Sequence, residues 1–227
     1  MGRYFIYRIH PLSVAEILHQ DVLLTETRPP KQIKNTVYKT LFKYGGFPEP
    51  LLKHSPTFST RWNRTRHQLL FREDIRDLTN LQEISQIELL ANFLSQFASQ
   101  LLNMSPLATK VQTTVKTIDR WISTLEQFYY CFRIRPRTKN IARGLLKQPK
   151  LYLWNWADIT DPGAKAENFI ASHLLKATHF WQDIGLGTYE LFFIRNKEKQ
   201  EVDFLVCKNE QPWFLVEVKS KGNHSLS

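Results

Sequence analysis

Residues 82–102 carry Ile84, Ile87, Leu90, Ala91, Leu94, Phe97, Ala98 and Leu101 at three- and four-residue steps. Such a stripe commits the segment to an amphipathic helix. A short helix is expected near Pro106–Val111, followed by TTVKTIDRWISTLEQFYY. There Val115, Ile118, Ile122, Leu125 and Tyr129 form the inner stripe, and Lys116, Thr117, Arg120, Ser123 and Gln127 lie on the other face. YYCFRIR and KLYLWNW then read as strands. Helix, short helix, helix and two-stranded ribbon is the order of a winged helix-turn-helix. No other feature restricts the fold as much.

Upstream, YFIYRI reads as a strand, followed by a short helix over Ser13–Leu18 in which Ser13 and Glu16 have capping-box spacing. Gly45, Gly46, Pro48 and Pro50 in GGFPEPL predict a tight connection between two helices. Downstream, a helix over 163–179 buries Phe169, Ile170, His173 and Leu174, and YELFFIR, EVDFLVC and WFLVEVK follow as strands. Pro162 and Gly163 mark the boundary between the two halves.

The chain of 227 residues has a net charge of +10 and a pI near 9.6, which favours a polyanionic partner such as nucleic acid. Seven basic residues lie between Arg133 and Lys150 without one acid: Arg133, Arg135, Arg137, Lys139, Arg143, Lys147 and Lys150. That stretch falls where a wing would be. With Lys116 and Arg120 on the preceding helix, it suits contacts to the phosphates of duplex DNA. The alternative is a winged helix used as a protein adaptor. No apolar run is long enough to span a bilayer, and the start lacks the pattern of a secretory signal. Two cysteines make no disulfide framework, so a cytoplasmic location and small core roles for Cys131 and Cys207 are expected.

The last two strands hold three polar groups among apolar neighbours. Strict alternation turns Val202, Phe204 and Val206 one way and Asp203 the other; Glu217 and Lys219 share the face opposite Phe214, Val216 and Val218. If the strands form a hairpin, matching the apolar faces requires paired positions that sum to an even number. A three-residue loop, Asn209–Glu210–Gln211, meets that condition and sets Asp203 opposite Glu217. Two facing carboxylates repel unless a cation intervenes, and Mg²⁺ or Mn²⁺ suits oxygen ligands. The alternative is a cross-strand ion pair of Lys219 with either acid.

Asp203, then Glu217-Val218-Lys219 on the next strand, resembles the PD-(D/E)xK signature of restriction-endonuclease-like nucleases. Glu167, in GAKAENFIASHLL, matches the helix acid that often joins that site. The string GRYFIYRIHPLS, GGFPEPL, LLFREDI, winged helix, KLYLWNW, GAKAEN, FFIR, EVDFLV and FLVEVK resembles the C-terminal portion of a prokaryotic AAA-type ATPase family. It does so over nearly the whole chain. In that family, the region after the ATPase module is a domain of unknown function with a nuclease-like end. The resemblance implies a mixed α/β chain. Residues 1–32 would be a remnant of the ATPase core and 33–80 a helical lid. Residues 81–160 would be the winged helix, and 161–227 a nuclease-like sheet truncated at its C-terminus. Asp203 and Glu217 would be metal ligands, Lys219 would assist the attacking water and Glu167 would be an auxiliary acid.

The departures are equally specific. There is no GK[ST] and no Asp-Glu pair after an apolar strand, so no ATPase activity is expected, and an intact ATPase is implied as a partner. Arg3 and Arg8 match nucleotide-sensing positions and are expected to be structural or vestigial. Asn155 stands where the family has an aspartate, which would support either the site or a turn. Three readings follow. Nucleic-acid binding is placed first, a Mg²⁺-dependent phosphodiesterase second, and a protein-interaction module with a degenerate nuclease fold third.

Overall fold

The computed structural model describes residues 5–18, 25–75, 81–138, 148–196, 198 and 200–219. It is mixed α/β. The helices are α1 (Val14–Ile17), α2 (Asn35–Tyr44), α3 (Pro48–Lys53), α4 (Pro56–Leu69, extended by a π-turn over Leu70–Asp74), α5 (Leu81–Leu94), α6 (Met104–Val111), α7 (Val115–Gln127) and α8 (Pro162–Asp183). The strands are β1 (Cys131–Pro136), β2 (Lys150–Leu153), β3 (Tyr189–Arg195), β4 (Glu201–Lys208) and β5 (Gln211–Val216). No helix among the described residues is long and apolar enough to cross a membrane.

Five of the six predicted strands form, and they join a single sheet in the order β2-β1-β3-β4-β5. β1 pairs antiparallel with β2, as a wing should, but its other edge pairs in parallel with β3 through Arg135↔Phe192 and Pro136↔Phe193. The ribbon of the winged helix is therefore two strands of the C-terminal sheet, and the sheet runs straight across the boundary marked by Pro162. Alternation along the ribbon serves two cores. Cys131, Leu151 and Leu153 pack with the buried faces of α5, α6 and α7, while Phe132, Ile134 and Tyr152 pack with Phe193, Phe204 and Ala171 of α8.

The helical segments differ from expectation where tertiary contacts override local pattern. The helix predicted over 82–102 ends at Leu94, followed by a 3-10 turn over Ser95–Phe97. Residues 99–102 lie instead along the outer edge of β2, with Ser99 N donating to Leu151 O at 2.7 Å and Leu102 N to Pro149 O at 2.8 Å. An unpaired strand edge in contact with a core must satisfy its backbone groups, and this segment does so. In α7, Trp121 joins Ile118, Ile122 and Leu125 in the interior, whereas Val115 and Tyr129 are exposed. PEPLLK, read as a connection, is the helix α3. Its prolines fall in the first turn, where amide groups have no intrahelical partner to lose. YFIYRI forms no strand among the described residues, but the Ser13–Glu16 capping box is present, with Ser13 N donating to Glu16 Oε2 at 2.8 Å.

One side chain of α8 satisfies the outer edge of β2. Asn168, 0% exposed, donates from Nδ2 to Leu153 O at 2.8 Å and accepts at Oδ1 from Leu153 N at 2.7 Å. Its amide thus replaces a neighbouring strand for that residue. Removing it leaves two buried backbone groups unpaired, so Asn168→Ala is expected to lower unfolding stability in urea by roughly 2–4 kcal/mol. A loss under 1 kcal/mol (about the net worth of one ordinary hydrogen bond) would refute that role.

Residues 7–18 dock on α8 through histidines. His173 Nδ1 donates to Phe169 O (2.8 Å), and its Nε2 accepts from Val14 N (3.2 Å). His10 Nε2 meets His179 Nδ1 at 2.9 Å. Both arrangements need a neutral ring. Burial, with the neighbouring Lys176 and Arg8 charges and against Asp183, lowers His10 to about 4. Burial also lowers His179 to about 4, helped by Arg8, and lowers His173 to about 4 against its Phe169 bond and Glu16. Each folded value lies below the ordinary 6.5, so the docked arrangement is complete above pH 6.5 and is lost as pH falls toward 4. The hydrogen-exchange protection factor of the Val14 amide is expected to drop between neutral and mildly acidic pH. Equal protection across that range would contradict it.

Candidate functional site

The most concentrated charge in the interior lies under α8. Lys150 opens β2 on the same face as Tyr152 and is 4% exposed. Its ammonium lies 2.8 Å from Glu167 Oε1 on α8, 2.5 Å from Glu201 Oε1 and 3.5 Å from Asp203 Oδ1, both on β4. It reaches them over the Phe193 ring, 5.7 Å from the centroid. The Tyr152 hydroxyl donates to the same Glu167 oxygen at 2.8 Å. Arg195 Nη1 approaches the second oxygen of Glu201 at 3.3 Å.

A break in strand alternation brings Asp203 here. Phe192 pairs with Leu205, but Ile194 pairs with Val202, so Asp203 and Phe204 together face the single residue Phe193. Such a bulge re-aims one side chain. Phe204 stays in the core beneath α8 while Asp203 turns toward Lys150, and its Oδ2 accepts from Val218 N at 2.8 Å.

Burial works against the charge on Lys150, but Glu167 and Glu201 outweigh it and raise its pKa. Burial pushes the Glu167 carboxyl up more than Lys150 and Tyr152 pull it down, and the Asp203 charge adds to the rise. The Tyr152 hydroxyl is raised well above its ordinary value, first by burial and then by Glu167, so it stays a donor.

The hairpin reaches the expected register by another route. Lys208 pairs with Gln211 across a two-residue turn, in which Asn209 (φ 48°) and Glu210 (φ 67°) are both left-handed. The register then shifts between Val206 and Cys207, and Trp213 is the extra residue, giving Val206↔Phe214 and Phe204↔Val216. The three-residue loop is thus corrected while the even-sum pairing stands. The two acids nevertheless separate. Val216 and Val218 both pack beneath α8, so Glu217 between them projects to the other side of the sheet. There it is half-exposed and lies 3.6 Å from the equally exposed Lys219, an ion pair between neighbours along the chain just past β5 and not across the hairpin. Glu167 and Asp203 are brought together; Glu217 and Lys219 are not with them.

These residues do not fit a divalent cation. Among the described residues, no three His, Cys, Asp or Glu side chains are disposed to share a metal ion. The convergence of Glu167, Glu201 and Asp203 is already centred on an ammonium, and one Asp203 oxygen is committed to a backbone amide. Asn155 supports a turn. It caps the 3-10 turn over Trp156–Asp158, and Nδ2 donates to Asp158 Oδ1 (2.9 Å) and Asn63 Oδ1 (3.3 Å). Gly45 (φ +82°) is required beside it, since a Cβ there would lie 2.5 Å from Asn155 Oδ1.

The residues assigned to nucleic acid divide. Lys116 is exposed at the start of α7. Arg120 pairs with Glu83 at 2.9 Å. Arg133, 10% exposed, is bound by Asp119 at 2.5 Å and Glu126 at 2.6 Å, so it locks the ribbon to α7 and is withdrawn from any phosphate. Arg135 lies on β1 opposite Phe192. Arg137 donates to the neutral carbonyl of Glu210 at 2.6 Å and stacks over Phe192. Lys139, Arg143 and Lys147 lie outside the described residues. Arg8 is structural: its guanidinium holds Asp183 (2.5 Å) and the carbonyl of His179 at the end of α8. Cys131 and Cys207 are both buried and free.

Sequence reasoning missed Lys150 as a site residue, counting it with the basic run, and missed Glu201 and Tyr152. A signal existed for each: a lysine beginning an otherwise apolar strand, and a second acid two residues before Asp203.

A family model described as a domain of unknown function, DUF8612, matches residues 35–157, more than half of the chain. The chain belongs to the DUF8612 family. A second model, also a domain of unknown function, DUF4143, matches residues 162–227. Within this DUF8612 chain the two matches meet near Pro162, where the sheet crosses from one to the other. A Haemophilus influenzae protein described as uncharacterized is 24% identical over 139 residues, covering 59% of this chain and 34% of that protein. The chain thus spans about a third of the length of the curated relative it matches. No solved structure matches it.

The geometry separates structural from peripheral charge in this DUF8612 chain. Arg133→Gln is expected to destabilise it by about 1–3 kcal/mol, as loss of a largely buried ion-pair network does, whereas Lys219→Ala should stay within about 0.5 kcal/mol. Equal effects in thermal or urea unfolding would contradict this division.

Proposed function

We propose that this chain is a nucleic-acid-binding module, belonging to the DNA-handling half of an AAA-type ATPase and without metal-dependent cleavage of its own. The observation that carries the binding reading is the acid-free stretch after Arg133. β1 delivers Arg135 and Arg137 to its start, and Lys139, Arg143 and Lys147 follow before β2 begins. Arg137 spends its hydrogen bond on a neutral carbonyl and so keeps its full charge. Cations that contact phosphates bind by counterion release, which gives affinity without sequence preference. Lys116 at the start of α7 adds to the same electrostatic footprint.

The association with an ATPase is supported by the DUF4143 match, a domain typical of AAA-ATPase-associated proteins, and by a relative that extends well beyond the matched segment. The absence of cleavage is supported by Lys150, which holds the carboxylates a metal would need.

Binding to a fluorescent DNA duplex, followed by anisotropy, is expected to weaken steeply with salt. Reversing Lys139, Arg143 and Lys147 together to Glu should lower the affinity and flatten the log–log salt slope by about 0.9 per lost phosphate contact. No Mg²⁺-dependent nicking is expected in wild type. Binding indifferent to the triple substitution would remove this reading.

A further inference from the structure

We propose that the Lys150 ammonium is the resident cation of this fold: it fills the point at which Glu167, Glu201 and Asp203 converge, and the cluster takes up a hard divalent cation only when that lysine is removed. The claim is independent of the nucleic-acid reading, because it concerns the partly buried cluster under α8 and is measured without DNA.

The argument begins with charge. Three carboxylates face the ammonium of Lys150 and, at the edge, the guanidinium of Arg195, leaving one negative charge in excess. Side chains of this kind are seldom withdrawn from water unless paired, and deleting the shared partner leaves the others uncompensated. One oxygen from each carboxylate points at Nζ, at 2.5, 2.8 and 3.5 Å. Calcium accepts carboxylate oxygens at about 2.3–2.6 Å and magnesium at about 2.0–2.1 Å, so oxygens spaced around an ammonium do not share a metal ion as they stand and must draw in around the vacated point to give a divalent ion three ligands.

Glu167 and Asp203 have anchors besides Lys150. Asn168, one residue beyond Glu167, is clamped to Leu153. The β4 bulge sets the direction of Asp203, and Val218 N holds its second oxygen. Tyr152 orients the Glu167 carboxylate. A cluster built this way keeps its convergence when the lysine is replaced by an uncharged side chain. The stem of Lys150 packs over Phe193, so methionine preserves the apolar contact while removing the charge.

The experiment uses the full chain and paramagnetic Mn²⁺. Amide resonances are followed by NMR during a Mn²⁺ titration of wild type, Lys150→Met, and Lys150→Met with Glu167→Gln. In wild type, the amides of Glu167, Glu201 and Asp203 are expected to broaden no more than surface amides. In Lys150→Met they should broaden selectively, with Mn²⁺ bound at least about tenfold more tightly than by wild type and the melting temperature raised by the ion. Glu167→Gln should cancel both gains. Selective broadening of these amides in wild type overturns the proposal, as does a folded Lys150→Met chain that ignores Mn²⁺. Lys150→Gln serves as the second uncharged variant if methionine does not fold. Recovery of folded chain on adding Mn²⁺ to either variant supports the proposal, and failure of both to respond to Mn²⁺ overturns it.

Discussion

A single ammonium ties this molecule together. Lys150 extends from the edge strand across β1 and β3, over the ring of Phe193, to carboxylates on β4 and α8. None of these charges would be stable in that position alone, because withdrawing an ion from water costs several kcal/mol unless a partner offsets it. The edge strand, the β4 bulge and the long helix must therefore assume their relative positions together. This gives the interior a specificity that its apolar contacts do not supply, since Phe132, Tyr152, Phe193 and Phe204 could pack in more than one offset.

The same geometry explains why the winged helix is not a free-standing unit. Its ribbon presents one face to the helices and the other to α8, and β1 is zipped on both edges. Arg133 is drawn down onto α7 by Asp119 and Glu126, and the outer edge of β2 is covered by residues 99–102 and Asn168. A wing fixed this firmly cannot swing into a groove. In the sequence, the connection between its two strands carries four cations, Arg137, Lys139, Arg143 and Lys147, and no acid.

Much of the fold was legible in the sequence. All five strands, the capping box at Ser13, the helix after Pro162 and the helix, short helix, helix, ribbon order follow from spacing and breakers, which act locally. The candidate site was legible only in part. Glu167 and Asp203 meet as expected, but Glu217 and Lys219 fall on the exposed side, and Lys150 and Glu201 take their places. The error has one source: strict alternation was assumed along β4, and the bulge opposite Phe193 breaks it.

By itself, then, the sequence determined which segments are helices and which are strands, that the hairpin faces must match, and that positive charge accumulates between β1 and β2. These depend on periodicity and composition, properties of neighbours along the chain. Only the tertiary structure decided that the ribbon joins the C-terminal sheet, that the stripe of 82–102 breaks at Leu94 to cover a strand edge, and that a lysine counted with the surface cations is the buried partner of three acids. Those outcomes depend on unpaired backbone edges and buried charges finding partners far away in sequence, and no local pattern records which partner is near enough to answer.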